Sequence, residues 1–164
     1  MRELKTIDYR GGIAKFRVPS AWVEEYEPSG GGTFYENGPD TGTLRISVLG
    51  FDKPADGKEA RSAQEVLASL DSAKAVEQLP SGIAISRSSR TTSEAGEKLL
   101  IYNWQIGVPV PPTYFRFVIF TYTILAGQEQ IPAIRQEIEL IDKLIAEGEY
   151  PAICGEAGDY AHRA

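Results

Sequence analysis

The chain has 164 residues, a length that fits one domain better than two. Its formal net charge of −6 argues against nucleic acid or an anionic membrane as a partner, because both are bound mainly through basic residues. The single cysteine, Cys154, excludes an intrachain disulfide framework and any metal site with several cysteine ligands. The sequence contains no apolar run of the length that a signal peptide or a membrane span needs, so we expect a cytoplasmic protein.

The N-terminal part predicts an all-β region. Two short strands, 6–9 and 13–18, are joined by Gly11 and Gly12, which supply the positive φ of a tight hairpin. Pro19 ends the second strand because its ring removes a backbone donor. Three more strands are predicted before residue 50, at 23–27, 33–36 and 44–48.

The middle of the chain predicts a helix and then a polar strand. Residues 62–65 (SAQE) fit a capping box, and Val66, Leu67 and Leu70 follow at helical spacing. These features predict a helix from about residue 63 into the seventies. From 83 to 94 the chain is rich in Ser, Thr and Arg, which indicates a partly exposed strand.

Two long strands between residues 98 and 125 form the predicted centre of the molecule. Three prolines between 109 and 112 forbid continuous pairing there, so this segment is the corner between the strands. Both strands carry apolar or aromatic residues on both faces. An antiparallel strand of this kind is expected to be covered on both faces, by helices or by a second sheet.

The last predicted element is an amphipathic helix. Isoleucine recurs every three or four residues from 131 to 145, and Glu139 and Lys143 add a predicted i, i+4 ion pair. Pro132 is compatible with a first helical turn. We therefore predict a single domain over residues 1–150 and a C-terminal tail over 151–164.

Little in the sequence indicates catalysis or a bound metal. His162 is the only histidine and lies in the predicted tail, where it is poorly placed to act as the base of a hydrolytic triad. With one histidine and one cysteine, the chain also lacks the ligands of a zinc site. Gly30, Gly31 and Gly32 lack the lysine of a phosphate-binding loop and precede a strand, so a turn is favoured. We predict no cofactor, no metal and no enzymatic activity.

One constellation stands out as a candidate site. Aromatic residues and one arginine alternate along the two central strands and share a face. An arginine in such a wall can bind a carboxylate or stack on a ring. The alternative, which we favour, is that the rings are core under the last helix, with the arginine at a margin or paired to a glutamate. The candidate ligand- or partner-binding residues are Tyr102, Trp104, Tyr114, Arg116 and Tyr122.

The order of motifs resembles the PsbP-like α/β/α sandwich superfamily. The matching segments are V-P-S-A-W (18–22), T-F-Y (33–35), G-T-L-R-I-S (42–47) and Y-N-W (102–104), followed by the terminal helix. The superfamily includes a photosystem extrinsic subunit, a Ran-binding nuclear import factor and small bacterial type VI secretion effector chaperones. The resemblance implies an α+β fold, an antiparallel β-sheet with helices packed on both faces. It implies binding more than catalysis.

Two functional hypotheses follow. The first is a non-catalytic cytoplasmic binding or chaperone-like protein that engages a protein partner through a sheet face or edge, with a homodimer as an open alternative. The second is a small-molecule-binding domain, enzymatic or not, with a pocket near Trp104 and Arg116.

Overall fold

The computed structural model describes residues 2–52, 67, 76–79, 82–110 and 114–152. These ranges are built mainly from antiparallel strands, with one α-helix near the C-terminal end. The elements are β1 (Leu4–Tyr9), β2 (Ala14–Pro19), β3 (Val23–Tyr26), β4 (Gly32–Tyr35), β5 (Thr43–Asp52), β6 (Val76–Gln78), β7 (Ala84–Glu94), β8 (Glu97–Val110), β9 (Tyr114–Leu125) and α1 (Pro132–Ala146).

The strands form two sheets. β1 and β2 make a two-stranded antiparallel hairpin, and the larger sheet has the order β3-β4-β5-β9-β8-β7-β6. β8 and β9 pair along their whole length, from Leu99↔Leu125 to Val110↔Tyr114. The predicted central pair is thus confirmed as the middle of an antiparallel sheet.

The β1–β2 hairpin and α1 cover one side of the large sheet, called here the helix face. Phe16 of the hairpin packs edge-to-face on Phe34 and on Phe120, with ring centroids 5.5 and 5.0 Å apart. A backbone bridge between Lys15 and Glu149 joins the hairpin to the segment after α1. Hairpin, helix and sheet therefore enclose one hydrophobic core.

The predicted terminal helix is confirmed with small changes. α1 begins at Pro132, in the first turn where a missing amide costs nothing, and buries Ile134, Ile141 and Ile145 against the helix face. Lys143 lies 4.0 Å from Glu147, so the predicted Glu139–Lys143 pair is wrong.

The predicted α/β/α sandwich, with helices packed on both faces, is wrong. The described ranges contain two sheets and one complete α-helix, which makes the architecture mainly β. On the face opposite α1, Phe115 and Phe117 are buried against Leu67 at one end of the sheet. Towards the other end that face becomes polar, with Asn103 and Thr121 only half-buried. The apolar character inferred for both strand faces does not extend along their whole length.

Several predictions fall outside the described residues. Most of the predicted helix from about residue 63 into the seventies lies outside the described residues. Leu67 has helical backbone and is 1% exposed, whereas Val76–Gln78 form the strand β6, which was not predicted. Most of the predicted tail, 153–164, lies outside the described residues as well. The division into a domain at 1–150 and a tail stays a prediction.

Candidate functional site

The five candidate residues all lie on the helix face, but they form two separate groups. Near α1 lie Tyr102, Trp104 and Tyr122, and at the far end of β9 lie Tyr114 and Arg116. Trp104 is paired with Phe120, whereas Arg116 lies four residues earlier on β9. At roughly 3.3 Å per residue that separation is about 13 Å, so one small pocket does not contain both side chains.

Trp104 belongs to a polar network that links three strands to the helix. Its ring is 3% exposed, and its Nε1 donates to Oδ1 of Asp142 in α1 at 2.8 Å. The same oxygen accepts a bond from Nε of Arg87 at 2.5 Å, and Nη1 of Arg87 donates to Glu77 at 2.7 Å. Burial alone would lower the pKa of Arg87, but the hydrogen bonds to Asp142 and Glu77 outweigh it and raise that pKa. Arg87 is therefore a fixed cation between two carboxylates.

The Tyr102 ring lies beside Trp104 and is partly exposed. The two ring centroids are 6.4 Å apart and the rings are tilted by 30°. Burial, and then the negative charge of Glu129, raise the pKa of Tyr102. The ring therefore presents a neutral aromatic surface.

Tyr122 is a core residue with a buried polar partner. Its side chain is 0% exposed, and its hydroxyl donates to Oε2 of Glu137 at 2.8 Å. The other oxygen of Glu137 lies 3.3 Å from Nη1 of Arg2, and Glu137 is 6% exposed. Burial, and then the charge of Glu137, strongly raise the pKa of Tyr122. This arrangement anchors α1 to the sheet and gives a ligand no access to the hydroxyl.

Arg116 lies against the chain that leaves α1. It is 2% exposed, its Nη1 donates to the carbonyl of Pro151 at 3.3 Å, and its Cζ lies 5.8 Å from the Tyr114 ring centroid. The Tyr114 hydroxyl lies directly over Gly50, where a Cβ would come within 1.6 Å of it. Tyr114 and Arg116 are thus engaged in intramolecular packing.

A groove of about 400 Å³ separates α1 from β7 and β8. Tyr102 and Trp104 form its aromatic side, and Ile138, Glu139 and Asp142 form its helical side, with Arg87 at one end. Glu139 makes no ion pair with any residue that the structure describes, so its carboxylate is available. The groove therefore combines an aromatic wall with an acidic rim.

The groove lies next to an exposed sheet edge. β6 pairs only with Ala84, Ile85 and Ser86, and no described residue pairs with β7 from Arg87 to Glu94 on that side. Leu79 N–H donates to the carbonyl of Ile83 opposite it.

Such bonded pairs recur at every second residue of an antiparallel strand, so in β7 the odd-numbered residues direct their N–H and C=O groups towards the edge. Ser89, Thr91 and Ser93 therefore direct outward backbone groups that no described residue pairs with. Their side chains lie on the helix face, towards the groove.

The sequence analysis predicted none of Arg87, Glu139 and Asp142 as site residues, and it named Glu139 only for an ion pair with Lys143. The hairpin turn between β7 and β8 could have located Arg87 from the sequence. Ala95 and Gly96 have φ of 52° and 81°, as a tight two-residue turn requires, and this turn sets the register that places Arg87 opposite Trp104. The helical residues carried no comparable signal, because their proximity to β8 depends on long-range packing.

The glycine segment forms a turn rather than a phosphate-binding loop. The amide of Gly30 donates to the carbonyl of Glu27 at 2.9 Å, and the amide of Gly31 donates to the hydroxyl of Tyr9 at 2.8 Å. Within the described ranges, no three His, Cys, Asp or Glu side chains are grouped as metal ligands. Nor does any helix of these ranges have the length and apolarity to span a membrane. The expectations of no metal, no cofactor and a cytoplasmic location stay predictions.

Comparison with solved structures identifies the fold. The chain is similar to a protein of Bacteroides thetaiotaomicron VPI-5482, with a TM-score of 0.60 and 19% identity over 96% of this chain and 50% of that one. This chain therefore spans half of that protein.

It is also similar to LpqN, involved in cell envelope biogenesis of Mycobacterium tuberculosis, with a TM-score of 0.60 and 12% identity over 91% of each chain. A Mog1 E65A mutant gives a TM-score of 0.50 and 14% identity over 90% of this chain and 96% of that one. No protein-family model and no curated protein sequence matches. LpqN and Mog1 have the Mog1/PsbP-like fold, so these similarities assign that fold to this chain, and the superfamily named from the sequence motifs stays a prediction.

Proposed function

We propose that the protein is a non-catalytic binding protein that holds an extended segment of a partner protein against the edge of β7. The observation that carries this proposal is the edge itself, eight residues from Arg87 to Glu94 without a described pairing partner. An unpaired edge of this length is a template for strand addition, in which main-chain hydrogen bonds supply affinity. Side chains at alternate positions of the added strand then supply specificity.

The groove beside the edge indicates which side chain the partner contributes. A strand added to β7 directs every second side chain to the helix face, next to Tyr102 and Glu139. An aromatic ring beside an unpaired carboxylate favours a lysine or arginine of the partner. The net charge of −6 acts in the same direction, since it attracts basic segments at long range.

This mode of binding is compatible with a chaperone-like role. The sequence motifs resemble a superfamily that includes bacterial type VI secretion effector chaperones, and a chaperone of that kind would hold a partner in extended form. If the partner were a second copy of this acidic chain, Glu94 and the acidic groove of one copy would face the same groups of the other copy and repel them. A basic heterologous partner is therefore favoured over a homodimer, and we keep the cytoplasm as the proposed location.

A set of matched variants tests the proposal by affinity capture and mass spectrometry. Ser89→Pro removes an outward amide at the β7 edge, Glu139→Lys reverses the charge of the groove, and Glu25→Gln changes the opposite edge as a control. We expect a partner that is captured by the wild type and by Glu25→Gln and is lost with Ser89→Pro and Glu139→Lys. If no captured protein shows this pattern, the proposal is wrong.

Hydrogen exchange on the isolated complex gives a second readout. Strand addition protects the amides of Ser89, Thr91 and Ser93 and leaves the β3 edge unchanged. Protection elsewhere without protection at these three amides contradicts an edge-bound partner. If the purified chain dimerises and the same amides are protected, the partner at this edge is a second copy of the chain and not a heterologous protein.

The small-molecule hypothesis has one observation in its favour, the groove of about 400 Å³ beside Trp104. Arg116 does not line it, so the charged group available to a ligand there is Glu139 or Arg87. A thermal-shift screen with small amines and with small carboxylates tests this second function. A shift that Glu139→Lys abolishes would favour it, and no shift in either series would exclude it.

A further inference from the structure

A second cavity lies on the other side of the molecule, where the β1–β2 turn meets the loop between β3 and β4. It encloses about 220 Å³, and Tyr9, Arg10, Tyr26, Gly30 and Gly31 form much of its wall. This volume is smaller than the roughly 300–1,000 Å³ of pockets for drug-sized ligands, so the cavity suits a small metabolite. It is independent of the β7 edge and of the groove.

Arg10 is placed in this cavity by an unusual backbone conformation. Its φ is 48°, in the left-handed region that a residue with a side chain rarely adopts, and Gly11 and Gly12 follow with φ of 68° and 99°. Gly30 leaves the space that the guanidinium occupies, because a Cβ there would come within 1.7 Å of Nη2. Backbone strain of this kind concentrates at binding sites.

The guanidinium of Arg10 has no polar partner among the described residues. Its Nε is buried without a hydrogen-bond acceptor, and it forms no ion pair within the described ranges. On one side its Cζ lies 5.4 Å from the centroid of the Tyr9 ring. Nη1 and Nη2 of Arg10 also have no hydrogen-bond partner among the described residues and, unlike Nε, are not buried, so a guanidinium held between a ring and a glycine backbone has donors left for an oxyanion.

Two aromatic rings complete the cavity. The rings of Tyr9 and Tyr26 are stacked, with centroids 6.4 Å apart and planes at 26°, and Tyr26 is 50% exposed. Both hydroxyls are already engaged, Tyr9 accepting from Gly31 at 2.8 Å and Tyr26 donating to Glu24 at 2.6 Å. The open part of the Tyr26 ring is therefore an apolar stacking surface.

The remaining charges define the ligand further. Asp8 and Glu27 also line the cavity, and neither forms an ion pair with any residue in the described part of the chain. The guanidinium attracts an anion, but the two unpaired carboxylates leave the cavity with a net negative charge, which disfavours a dianion such as phosphate. They complement a molecule that carries one carboxylate and one ammonium group.

We propose that this cavity binds a free α-amino acid. The carboxylate of the ligand contacts Arg10, its ammonium group contacts Asp8 or Glu27, and its side chain stacks on Tyr26. Ligands with an aromatic side chain bind most tightly, because the exposed ring favours stacking.

Titration of the labelled chain followed by NMR tests this assignment. Aromatic amino acids should cause saturable shifts at the amides of Gly11, Gly30 and Gly31, whereas acetate or methylammonium at the same concentration should cause none. Arg10→Gly should weaken binding at least tenfold while the thermal midpoint stays unchanged or rises, since glycine favours a positive φ. A purely structural arginine would instead lower that midpoint.

Two further variants complete the test. Arg135→Gln, at an exposed arginine of α1 outside the cavity, should bind like the wild type. Asp8→Asn combined with Glu27→Gln should bind the amino acid less tightly and acetate more tightly. The proposal is overturned if no amino acid causes saturable shifts, if Arg10→Gly binds like the wild type, or if phosphate binds more tightly than any amino acid.

Discussion

The two ends of the large sheet differ in how they expose backbone. β3 has four residues, and an ion pair of 2.8 Å between Lys5 and Glu24 ties its start to the β1–β2 hairpin. β7 has eleven residues, of which β6 covers three. Short length and clustered charge are the features by which proteins protect sheet edges from further pairing.

The charges at the two ends differ as well. Glu24 and Glu25 lie in β3 and Glu27 directly follows it, and the first two accept hydrogen bonds of 2.6 Å from Tyr26 and Tyr35. The exposed part of β7 carries mainly Ser and Thr, which satisfy a neighbouring strand without repelling it. We infer that β3 is a protected edge and that β7 is a receptive one.

The largest expected effect comes from proline at the two kinds of position in β7. Thr92→Pro removes an amide directed towards Leu99 of β8 and should lower the free energy of unfolding by roughly 2–3 kcal/mol. Ser89→Pro removes an outward amide and should cost about 1 kcal/mol or less. Urea denaturation of both variants measures the difference, and equal losses would contradict the assigned direction of the amides.

The next effect concerns the network that fixes β7 beside α1. Asp142→Ala leaves the buried Nε1 of Trp104 without its acceptor and should lower the free energy of unfolding by about 1–2 kcal/mol. Glu77→Ala is the matched control, because it removes the other, more exposed partner of Arg87 and should cost at most about 0.5 kcal/mol. Thermal or urea unfolding distinguishes the two. A larger loss for Glu77→Ala would show that Asp142 does not organise the network.

The smallest expected effect is a pH dependence at the β3 edge. The hydrogen bond from Lys5, and then that from Tyr26, lower the pKa of Glu24 from its usual value of 4.5. A carboxyl group with a lowered pKa stabilises the fold above its unfolded pKa, and that contribution is lost as the pH falls through the folded pKa. Stability measured from neutral pH down to below 4 should therefore fall more steeply in the wild type than in Glu24→Gln. Parallel curves would mean that the ion pair does not stabilise this edge.

The sequence predicted the elements that depend on local periodicity. Isoleucine at helical spacing predicted α1, and the alternation of apolar and polar residues predicted β5, since one buried face imposes a period on the chain. The central pair was predicted from two long strands that are apolar on both faces. The wrong prediction of helices on both faces came from the resemblance to the PsbP-like superfamily, because the strand pattern itself allowed either helices or a second sheet as the cover. Alternation assigns residues to a face, but it does not report where along the sheet that face changes from Phe115 and Phe117 to Thr121 and Thr123.

The candidate site was predicted only in part. Trp104 and Tyr102 border the groove, whereas Tyr122 is bonded to Glu137 in the core and Arg116 lies against Pro151. Residues on one strand face are equivalent in the sequence pattern. They become different only when a helix covers some of them and leaves others at a margin.

By itself, then, the sequence determined the positions of α1 and of most strands, together with the acidic charge. The tertiary structure alone decided that Asp142 meets Trp104 and that Arg10 lies against Gly30. It also decided that, within the described ranges, β6 pairs with only the first three residues of β7. Each of these features joins residues far apart in the chain, through sheet order and helix packing, and no local pattern encodes such a contact.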